Sequence, residues 1–494
     1  MDHTILHPFV AELRATERLK GFAEAFPVPA RVSEPALPLL LASLYEELDR
    51  PLVLLAPEDQ DARDAAEGAA WFLGEERVAM LPSRGVHWGS GLDPAPHLVG
   101  ERARALDVLA AGGLVAASAA ALAEPMPPPH ARPQPIRIVP GEETSLEQLS
   151  ETLALAGYER VERADERGQF AVRGGLVDVF PTTGREPLRI EFWGDEIEQM
   201  RAFSPFTQRA LHPVETAVIY PAAERRLDLF EPTLVGEDQP IPIPTDLVRA
   251  VPGGPDLVWH ADEVRTVWEE EGLEPVPFGK AALLDTLPAS QPFAFEAQRP
   301  ALVARGLSEA ENELGAFLRS GQRVVVAFPH LGEALRQQNL LRRIEARVIA
   351  EGEELPREAG LIFAVTPARR GFVWRDLGLV LLPDTQVFRK RPPRERRGGG
   401  RALQSFADLR SGDYIVHEDH GVGKLLGFET KEVAGVTRDY LFLGFRGDDR
   451  LYVPHEQLGK VSRYIGADAK GPALSKLGGK AWELIKSRAR ESVQ

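Results

Sequence analysis

Two imidazoles and two carboxylates lie within four consecutive residues, His417, Glu418, Asp419 and His420. These groups are common zinc ligands and common acid–base groups, so the segment suggests a metal site or proton transfer. The two histidines are only three residues apart beside Gly421, in a predicted β turn, and no third ligand group is nearby in the sequence. We therefore favour a structural turn over a metal site.

Nucleotide hydrolysis would require a glycine-rich loop, G-x-x-x-x-G-K-[ST], whose amides hold the phosphates. Gly-Lys pairs occur at Lys280, Lys424, Lys460 and Lys480, but Ala, Leu, Val and Ala follow them and the earlier glycine is missing from each. No Ser-His-Asp order, HExxH motif or paired-carboxylate pocket can be located either. The sequence predicts no catalytic, cofactor-binding or metal-binding residues for this chain.

Arg173, Arg189 and Trp193 suggest a different kind of chemistry, the recognition of another protein. Arg189 and Trp193 are four residues apart on one predicted strand, so they point to the same face of a sheet. Guanidinium groups can pair with carboxylates in bidentate fashion, and both residue types are enriched at interface hot spots. From composition alone, an ordinary solvated face with the tryptophan in the core is the favoured alternative.

The chain that must position these residues has 494 residues, 44% of them hydrophobic and none of them cysteine. This length predicts about three to five domains. The absence of cysteine and of an apolar run long enough to span a bilayer predicts a cytoplasmic protein without a membrane segment.

The net charge of −16 is unevenly distributed. Residues 389–494 contain 21 Lys and Arg against 14 Asp and Glu, whereas residues 1–388 contain 37 against 60. An acidic front section is expected to bind DNA poorly, while the basic segment can approach an acidic partner.

Composition and periodicity predict several domains of α/β and α+β type. A Pro-rich run, MPPPHARPQP, closes the first α/β section, and a basic, glycine-ending run, FRKRPPRERRGGGR, marks a flexible linker. After the linker, short β runs joined by turns predict a small barrel, and the final charged amphipathic helix stops without a terminating residue, so we expect the natural protein to continue. The predicted sections are 1–125, 126–215, 216–305, 306–388, 389–406 (linker), 407–466 (barrel) and 467–494 (start of a helix).

The section containing Arg173 and Arg189 is expected to be a compact α+β unit. Thr144 and Glu147 form a capping-box pattern at the start of one helix, and Gly157 ends that helix. Two β stretches follow, and Gly194-Asp195 predicts the turn of a hairpin.

Two segments resemble known domains. VRGGLVDVFPTTGREPLRIEFWGDEIEQMRAFSPFTQRAL resembles the UvrB-homology module that the excision-repair protein UvrB shares with transcription-repair-coupling factors. GDYIVHEDHGVGKLLGFETKEVAGVTRDYLFLGFRGDDRLYVPHEQLGKVSRY resembles the RNA-polymerase-interacting domain that these factors share with CarD-type regulators. In this order, the two segments are similar only to the transcription-repair-coupling factor (Mfd) family.

The resemblance implies a fold, a function and partners. The expected fold is a UvrB-like module without a P-loop (domain 1a at 1–125, domain 2 at 126–215, domain 1b at 216–305), a small open α/β domain and a Tudor/SH3-like, CarD-like barrel with a C-terminal helix. Domain 2 is expected to bind UvrA through Arg173, Arg189 and Trp193. The barrel is expected to pair an exposed strand edge with the RNA polymerase β subunit through Leu425, Leu426, Gly427, Phe428, Glu429, Thr430, Lys431, Glu432 and Val433.

The resemblance also implies transcription-coupled DNA repair, in which the chain recruits UvrA to RNA polymerase stalled at a lesion. An ATP- and magnesium-dependent DNA translocase would follow in the full-length protein, so contact with DNA would come through that motor, and this chain would be a binding platform. The alternative function is a CarD-like transcription regulator that binds RNA polymerase without a repair role.

Overall fold

The computed structural model describes residues 4–87, 90, 92–184, 186–205, 207–226, 241–243, 251, 253–259, 280–285, 292–302, 306–350, 352–388, 414–417, 420–433, 436–447, 449–454, 461–463 and 474–476. The chain divides into two compact units. One contains residues 1–133 and 222–392, and the other contains residues 134–221 and 393–494. The predicted linker and the final helix lie outside the described residues.

The elements are numbered along the chain. The helices are α1 (Pro8–Arg14), α2 (Glu17–Ala25), α3 (Leu37–Leu48), α4 (Asp59–Leu73), α5 (Pro96–Ala110), α6 (Ala119–Ala123), α7 (Leu146–Leu155), α8 (Leu307–Arg319), α9 (Leu331–Leu340) and α10 (Asp384–Val387). The strands are β1 (Ala30–Val32), β2 (Leu52–Ala56), β3 (Val78–Leu81), β4 (Leu114–Ser118), β5 (Pro125–Met126), β6 (Ile136–Ile138), β7 (Glu159–Arg160), β8 (Gln169–Arg173), β9 (Leu176–Phe180), β10 (Leu188–Trp193), β11 (Glu196–Phe203), β12 (Ala210–Pro213), β13 (Ala217–Ile219), β14 (Ile241–Pro242), β15 (Asp256–Trp259), β16 (Ala281–Asp285), β17 (Phe293–Phe295), β18 (Arg323–Phe328), β19 (Ala346–Ile349), β20 (Gly360–Val365), β21 (Phe372–Trp374), β22 (Leu379–Pro383), β23 (Tyr414–His417), β24 (Gly421–Val433), β25 (Val436–Gly444), β26 (Arg450–Pro454) and β27 (Val461–Arg463). None of the described helices is both long and apolar enough to cross a membrane.

The first unit contains a seven-stranded sheet in the order β17-β1-β16-β15-β2-β4-β3, and every neighbouring pair is parallel. Strands β2, β3 and β4 are buried along their whole length, as expected for a parallel sheet covered on both faces. Strand β15 pairs with β2 from Asp256 to Trp259, so a segment after residue 222 returns to the sheet formed by the N-terminal section.

A second, five-stranded sheet in the first unit has the order β19-β20-β18-β22-β21, with β21 antiparallel at one edge. The sheet has the predicted α/β type, but its core is shared with the N-terminal section. The ring of Phe9 lies 6.4 Å from those of Phe72 and Phe372. Arg323 donates to the Glu12 carboxylate at 2.6 Å and lies over the Phe9 ring. Helix α1 is therefore packed between elements distant in sequence.

The second unit begins with a six-stranded sheet in the order β12-β11-β10-β9-β8-β7, accompanied by α7. All pairs are antiparallel except β7 with β8. The predicted hairpin turn is confirmed, since Gly194 and Asp195 join β10 to β11 and Gly194 has a φ of +63°. The predicted capping box at Thr144 is wrong by one residue. Ser145 caps α7 because its side chain accepts a hydrogen bond from the Gln148 amide at 3.1 Å.

The second unit also contains an antiparallel sheet in the order β26-β25-β24-β23-β27. One face of this sheet carries a small apolar core that includes Ile415, Leu425, Leu441, Leu443 and Val453. The core residues alternate along β25 (Leu441, Leu443) and β26 (Leu451, Val453), as period-two strands with one buried face require. The structure thus confirms the expected architecture of several sheets, some of α/β type and some antiparallel.

Candidate functional site

The predicted arginines meet on a buried carboxylate. Asp178 on β9 is opposite Arg189 on β10 in the strand register, and its side chain is only 1% exposed. Arg189 donates from Nε to Asp178 Oδ1 at 2.7 Å and from Nη2 to Oδ2 at 2.9 Å. Arg173, at the end of β8, also donates to Asp178. The sheet thus brings both predicted arginines to one anion.

Gln208 completes this cluster from the loop between β11 and β12. Its side-chain oxygen accepts from Arg173 at 3.0 Å and from Arg189 at 3.3 Å, and its carbonyl oxygen accepts from Arg189 at 3.2 Å. The backbone of Gln208 is left-handed, with a φ of +60°. Arg189 also lies 4.6 Å over the Phe203 ring. Arg189 is therefore held on several sides.

The two arginines differ in exposure and therefore in the roles they can take. The side chain of Arg189 is 20% exposed, whereas that of Arg173 is 46% exposed. Hydrogen bonds to Asp178 raise the pKa of Arg189 above its usual value, although burial acts against its charge. Arg189 mainly neutralises a buried carboxylate, while Arg173 also presents its guanidinium to solvent.

Trp193 lies at the solvent end of the same strand. It pairs with Glu196 across the Gly194-Asp195 turn and is 79% exposed. Burial alternates along β10 from Leu188 to Glu191, which places Arg189 and Glu191 on the less buried face, and Trp193 is two residues further along the same strand. Our compositional alternative of a tryptophan in the core is wrong, because this side chain is almost fully in solvent.

The polar residues that lie between and beside Arg189 and Trp193 were not predicted from the sequence. Glu191 lies between them on β10, and Gln199 donates to it at 2.7 Å while accepting from Arg201. Asp178 was not predicted from the sequence either. It could have been found as the single acidic residue of the apolar strand LVDVF, which hairpin pairing places opposite an arginine.

The second predicted surface is the strand β24. It pairs with β25 from Lys424 to Val433, but with β23 only from Gly421 to Lys424. Beyond Lys424, β24 therefore extends past the end of its pairing with β23 while it remains paired with β25. A long strand of this kind is the type of element to which another chain can add a strand through main-chain hydrogen bonds.

The predicted residues of this edge are not equivalent. Leu425 belongs to the buried core, so its side chain is not available to a partner, whereas Leu426 is 43% exposed. The strand register shifts between Leu425 and Gly427, which makes Leu426 the additional residue of a β-bulge. Glu429 is partly exposed. The side chains of Phe428, Thr430, Lys431, Glu432 and Val433 lie outside the described residues, although their backbones continue the strand.

The two histidines of the His417–His420 segment lie close together, and His417 is buried. His417 is buried at the end of β23, and its ring lies 4.7 Å from that of His420. Glu418 and Asp419 lie outside the described residues. Where the structure describes the chain, no three His, Asp or Glu residues are grouped so that they could hold a metal ion.

Two protein-family models match the chain. The UvrB interaction domain matches residues 136–224, and the CarD-like/TRCF RID domain matches residues 409–465. Curated proteins named transcription-repair-coupling factor match nearly all of it. The protein from Bacillus subtilis (strain 168) is 24% identical over 94% of this chain and 47% of its own length. The protein from Mycobacterium tuberculosis (strain CDC 1551 / Oshkosh) is 28% identical over 93% and 46%. These matches confirm the resemblance to transcription-repair-coupling factors.

The two family-model matches contain the two predicted surfaces. The UvrB interaction match begins at residue 136, the first residue of β6, and includes the Arg173–Asp178–Arg189 cluster and Trp193. The CarD-like/TRCF RID match includes β23, β24, β25, β26 and β27. The chain spans about half the length of the coupling factors it matches.

Proposed function

We propose that this chain is a binding platform for transcription-coupled DNA repair that holds UvrA on one surface and the RNA polymerase β subunit on another. The observation that carries the proposal is that each family match contains an outward-facing surface suited to protein binding. One is the exposed Trp193 beside the arginine cluster, and the other is the part of β24 that extends beyond its pairing with β23 and carries the exposed Leu426.

The UvrA surface consists of Arg173, Arg189 and Trp193. An exposed indole supplies a large rigid contact area, and the outer N–H groups of Arg173 can pair with a carboxylate of the partner. Arg189 contributes indirectly, because it neutralises Asp178 and so fixes the strand that carries Trp193. The binding energy is therefore expected to come from Trp193 and Arg173.

The polymerase surface consists of the edge from Leu425 to Val433. Strand addition uses main-chain hydrogen bonds for affinity, and it needs no deep pocket. We further propose that β23–β27 close into a Tudor/SH3-like barrel. The basic run at 389–406 would link it to the rest of the chain, which would let the two partners be held at the same time.

The remaining features of the full-length protein complete the proposal. An ATP- and magnesium-dependent translocase would act on DNA in a part of the protein that this chain does not contain, within a cytoplasmic repair pathway. The chain itself is expected to turn over no ATP, because its Gly-Lys pairs lack the phosphate-binding pattern. Nucleotide turnover by the pure chain, measured by phosphate release, would contradict this.

The alternative function, a CarD-like regulator without a repair role, is not favoured, because such a protein does not explain a UvrB interaction domain over residues 136–224. Two pull-downs discriminate between the functions, one with UvrA and one with the isolated polymerase β subunit. Our proposal predicts that both partners are retained. Retention of the β subunit alone would support the regulator, and retention of neither would contradict both functions.

A further inference from the structure

A cleft of about 340 Å³ lies where the two sheets of the first unit meet. It is lined by residues 31–33, 296–298, 373, 375 and 376, at the ends of β1, β17 and β21. Strands β1 and β17 are parallel neighbours, and their carboxyl ends, Val32 and Phe295, lead into this lining. In parallel α/β sheets, ligands bind outside the carboxyl ends of the strands. The cleft therefore has the position of a small-molecule site and a volume within the lower part of the usual range.

The inner part of the cleft is apolar and held in place by backbone hydrogen bonds. Val32, Ala297 and Val373 are buried. Gln298 and Val373 exchange two backbone hydrogen bonds of 2.9 Å, which join the segment after β17 to β21. The Ser33 hydroxyl donates to the Ala297 carbonyl oxygen and accepts from the Ala297 amide, both at 2.8 Å. Because these polar groups already have partners, this part of the cleft offers a ligand apolar contact.

The carboxylates in and beside the cleft are neutralised by arginines of the same chain. The pairs are Arg31–Glu296, Arg18–Asp376 and Arg299–Glu34. A carboxylate with a cation beside it repels an incoming anion less than an unpaired carboxylate does. Although residues 1–388 are acidic overall, the cleft can therefore accept a negatively charged group.

Two polar side chains of the lining remain available to a ligand. Within the part of the chain that the structure describes, the Arg375 guanidinium and the Gln298 side-chain amide make no hydrogen bond or ion pair. A guanidinium can hold a carboxylate through two parallel N–H bonds. A primary amide can donate to a carbonyl oxygen and accept from an N–H, so it can pair with a peptide group. The cleft thus combines one cation, one amide and an apolar surface.

We propose that this cleft binds a short peptide-like acid, a ligand with a free carboxylate, an amide group and an apolar side chain. Arg375 takes the carboxylate, Gln298 pairs with the amide, and the apolar side chain packs on Val32 and Val373. Each part of the ligand then meets lining of matching chemistry. The cleft lies outside the UvrB interaction match and the CarD-like/TRCF RID match, so this site is independent of the proposed binding of UvrA and the polymerase β subunit.

The test uses the complete chain and N-acetyl-leucine as the probe, because this molecule carries all three ligand groups. Saturation-transfer NMR titration should give a Kd on the order of 1 mM, as expected for so small a ligand. N-acetyl-leucinamide is the neutral control, and it should bind at least about tenfold more weakly because it lacks the carboxylate. Equal binding of the acid and the amide would overturn the proposal, and so would the absence of saturable binding of the acid.

Two substitutions place the probe in the cleft. Arg375→Gln should weaken binding of N-acetyl-leucine by at least about tenfold, because it removes the cation. Gln298→Glu keeps the shape of the side chain but adds a negative charge, so it should weaken binding at least as much. Both side chains are exposed, so the melting temperature should not change. Arg357→Gln is the matched control, an exposed arginine outside the cleft, and it should bind normally. Normal binding by Arg375→Gln, or equal losses in Arg375→Gln and Arg357→Gln, would refute the site.

Discussion

At the scale of single residues, the proposed UvrA surface contains one arginine with a structural role and two residues that we propose as contacts. Asp178 is buried and charged, and such a group is stable only with its partners in place. Arg189 provides two hydrogen bonds to it, and Arg173 adds another. Loss of binding after changing Arg189 would therefore not by itself identify a contact with UvrA.

Replacing Trp193 with alanine is the cleanest test of the UvrA surface. Because this side chain is almost fully in solvent, the melting temperature should not change, while UvrA binding should weaken by about 2 kcal/mol. Isothermal titration with UvrA measures the effect. Leu92→Ala is the matched control, an exposed apolar side chain outside the UvrB interaction match, and it should bind UvrA normally. Unchanged binding of the Trp193 variant would remove it from the interface.

Arg173 and Arg189 should differ in their effect on stability. Arg189→Ala leaves the buried Asp178 with its weaker partners, so the free energy of unfolding should fall by about 3 kcal/mol. Arg173→Ala should weaken UvrA binding by about 2 kcal/mol with a smaller loss of stability. Urea denaturation measures both losses. Comparing Asp178→Ala/Arg189→Ala with Arg189→Ala and Asp178→Ala alone gives the coupling free energy between Asp178 and Arg189. Additive losses in the double variant would contradict the pairing.

At the scale of elements, helices α1 and α3 are joined by one carboxylate. Glu46 on α3 accepts from Arg14 of α1 at 3.1 Å and from Arg77 at 2.9 Å, and His7 Nε2 lies 2.9 Å from it. Burial acts against its charge, but the hydrogen bonds from His7 and Arg77 outweigh burial and lower the pKa of Glu46 to about 2. Because α1 contributes Phe9 to the shared core, this carboxylate helps to fix that core.

The lowered pKa of Glu46 predicts a pH-dependent contribution to stability. In the unfolded chain the group titrates near its ordinary value of 4.5, so its contribution is fully present above that pH and is lost as the pH falls toward about 2. The difference in unfolding free energy between the unaltered chain and Glu46→Gln should shrink over this range, as measured by denaturation at several pH values. Glu17→Gln changes an exposed carboxylate and should show no such trend. A difference independent of pH would refute the assignment.

The sequence predicted local elements better than their long-range packing. The Gly194-Asp195 turn followed from a motif of adjacent residues, because its conformation is determined locally. The cap at Ser145 was missed by one residue, because Thr144 and Ser145 are chemically equivalent candidates. The packing of Phe9 against Phe372 and the burial of Asp178 could not be predicted, because both depend on elements that meet only in the folded chain.

At the scale of the whole molecule, the proposal requires two surfaces that work independently. Trp193 and the β24 edge belong to separate sheets, so a substitution on one should leave binding at the other unchanged. Tethering two partners on one chain raises the effective concentration of each near the other, and this gain needs no new contact between them. The function therefore depends on simultaneous occupancy more than on the affinity of either surface.

Simultaneous binding is the most direct test of this account. The purified chain is mixed with UvrA and the isolated polymerase β subunit, and the complexes are measured by sedimentation velocity. The proposal predicts a species containing all three proteins, which loses only UvrA with Trp193→Ala. Mutually exclusive binding of the two partners, or binding of neither, would contradict the central claim.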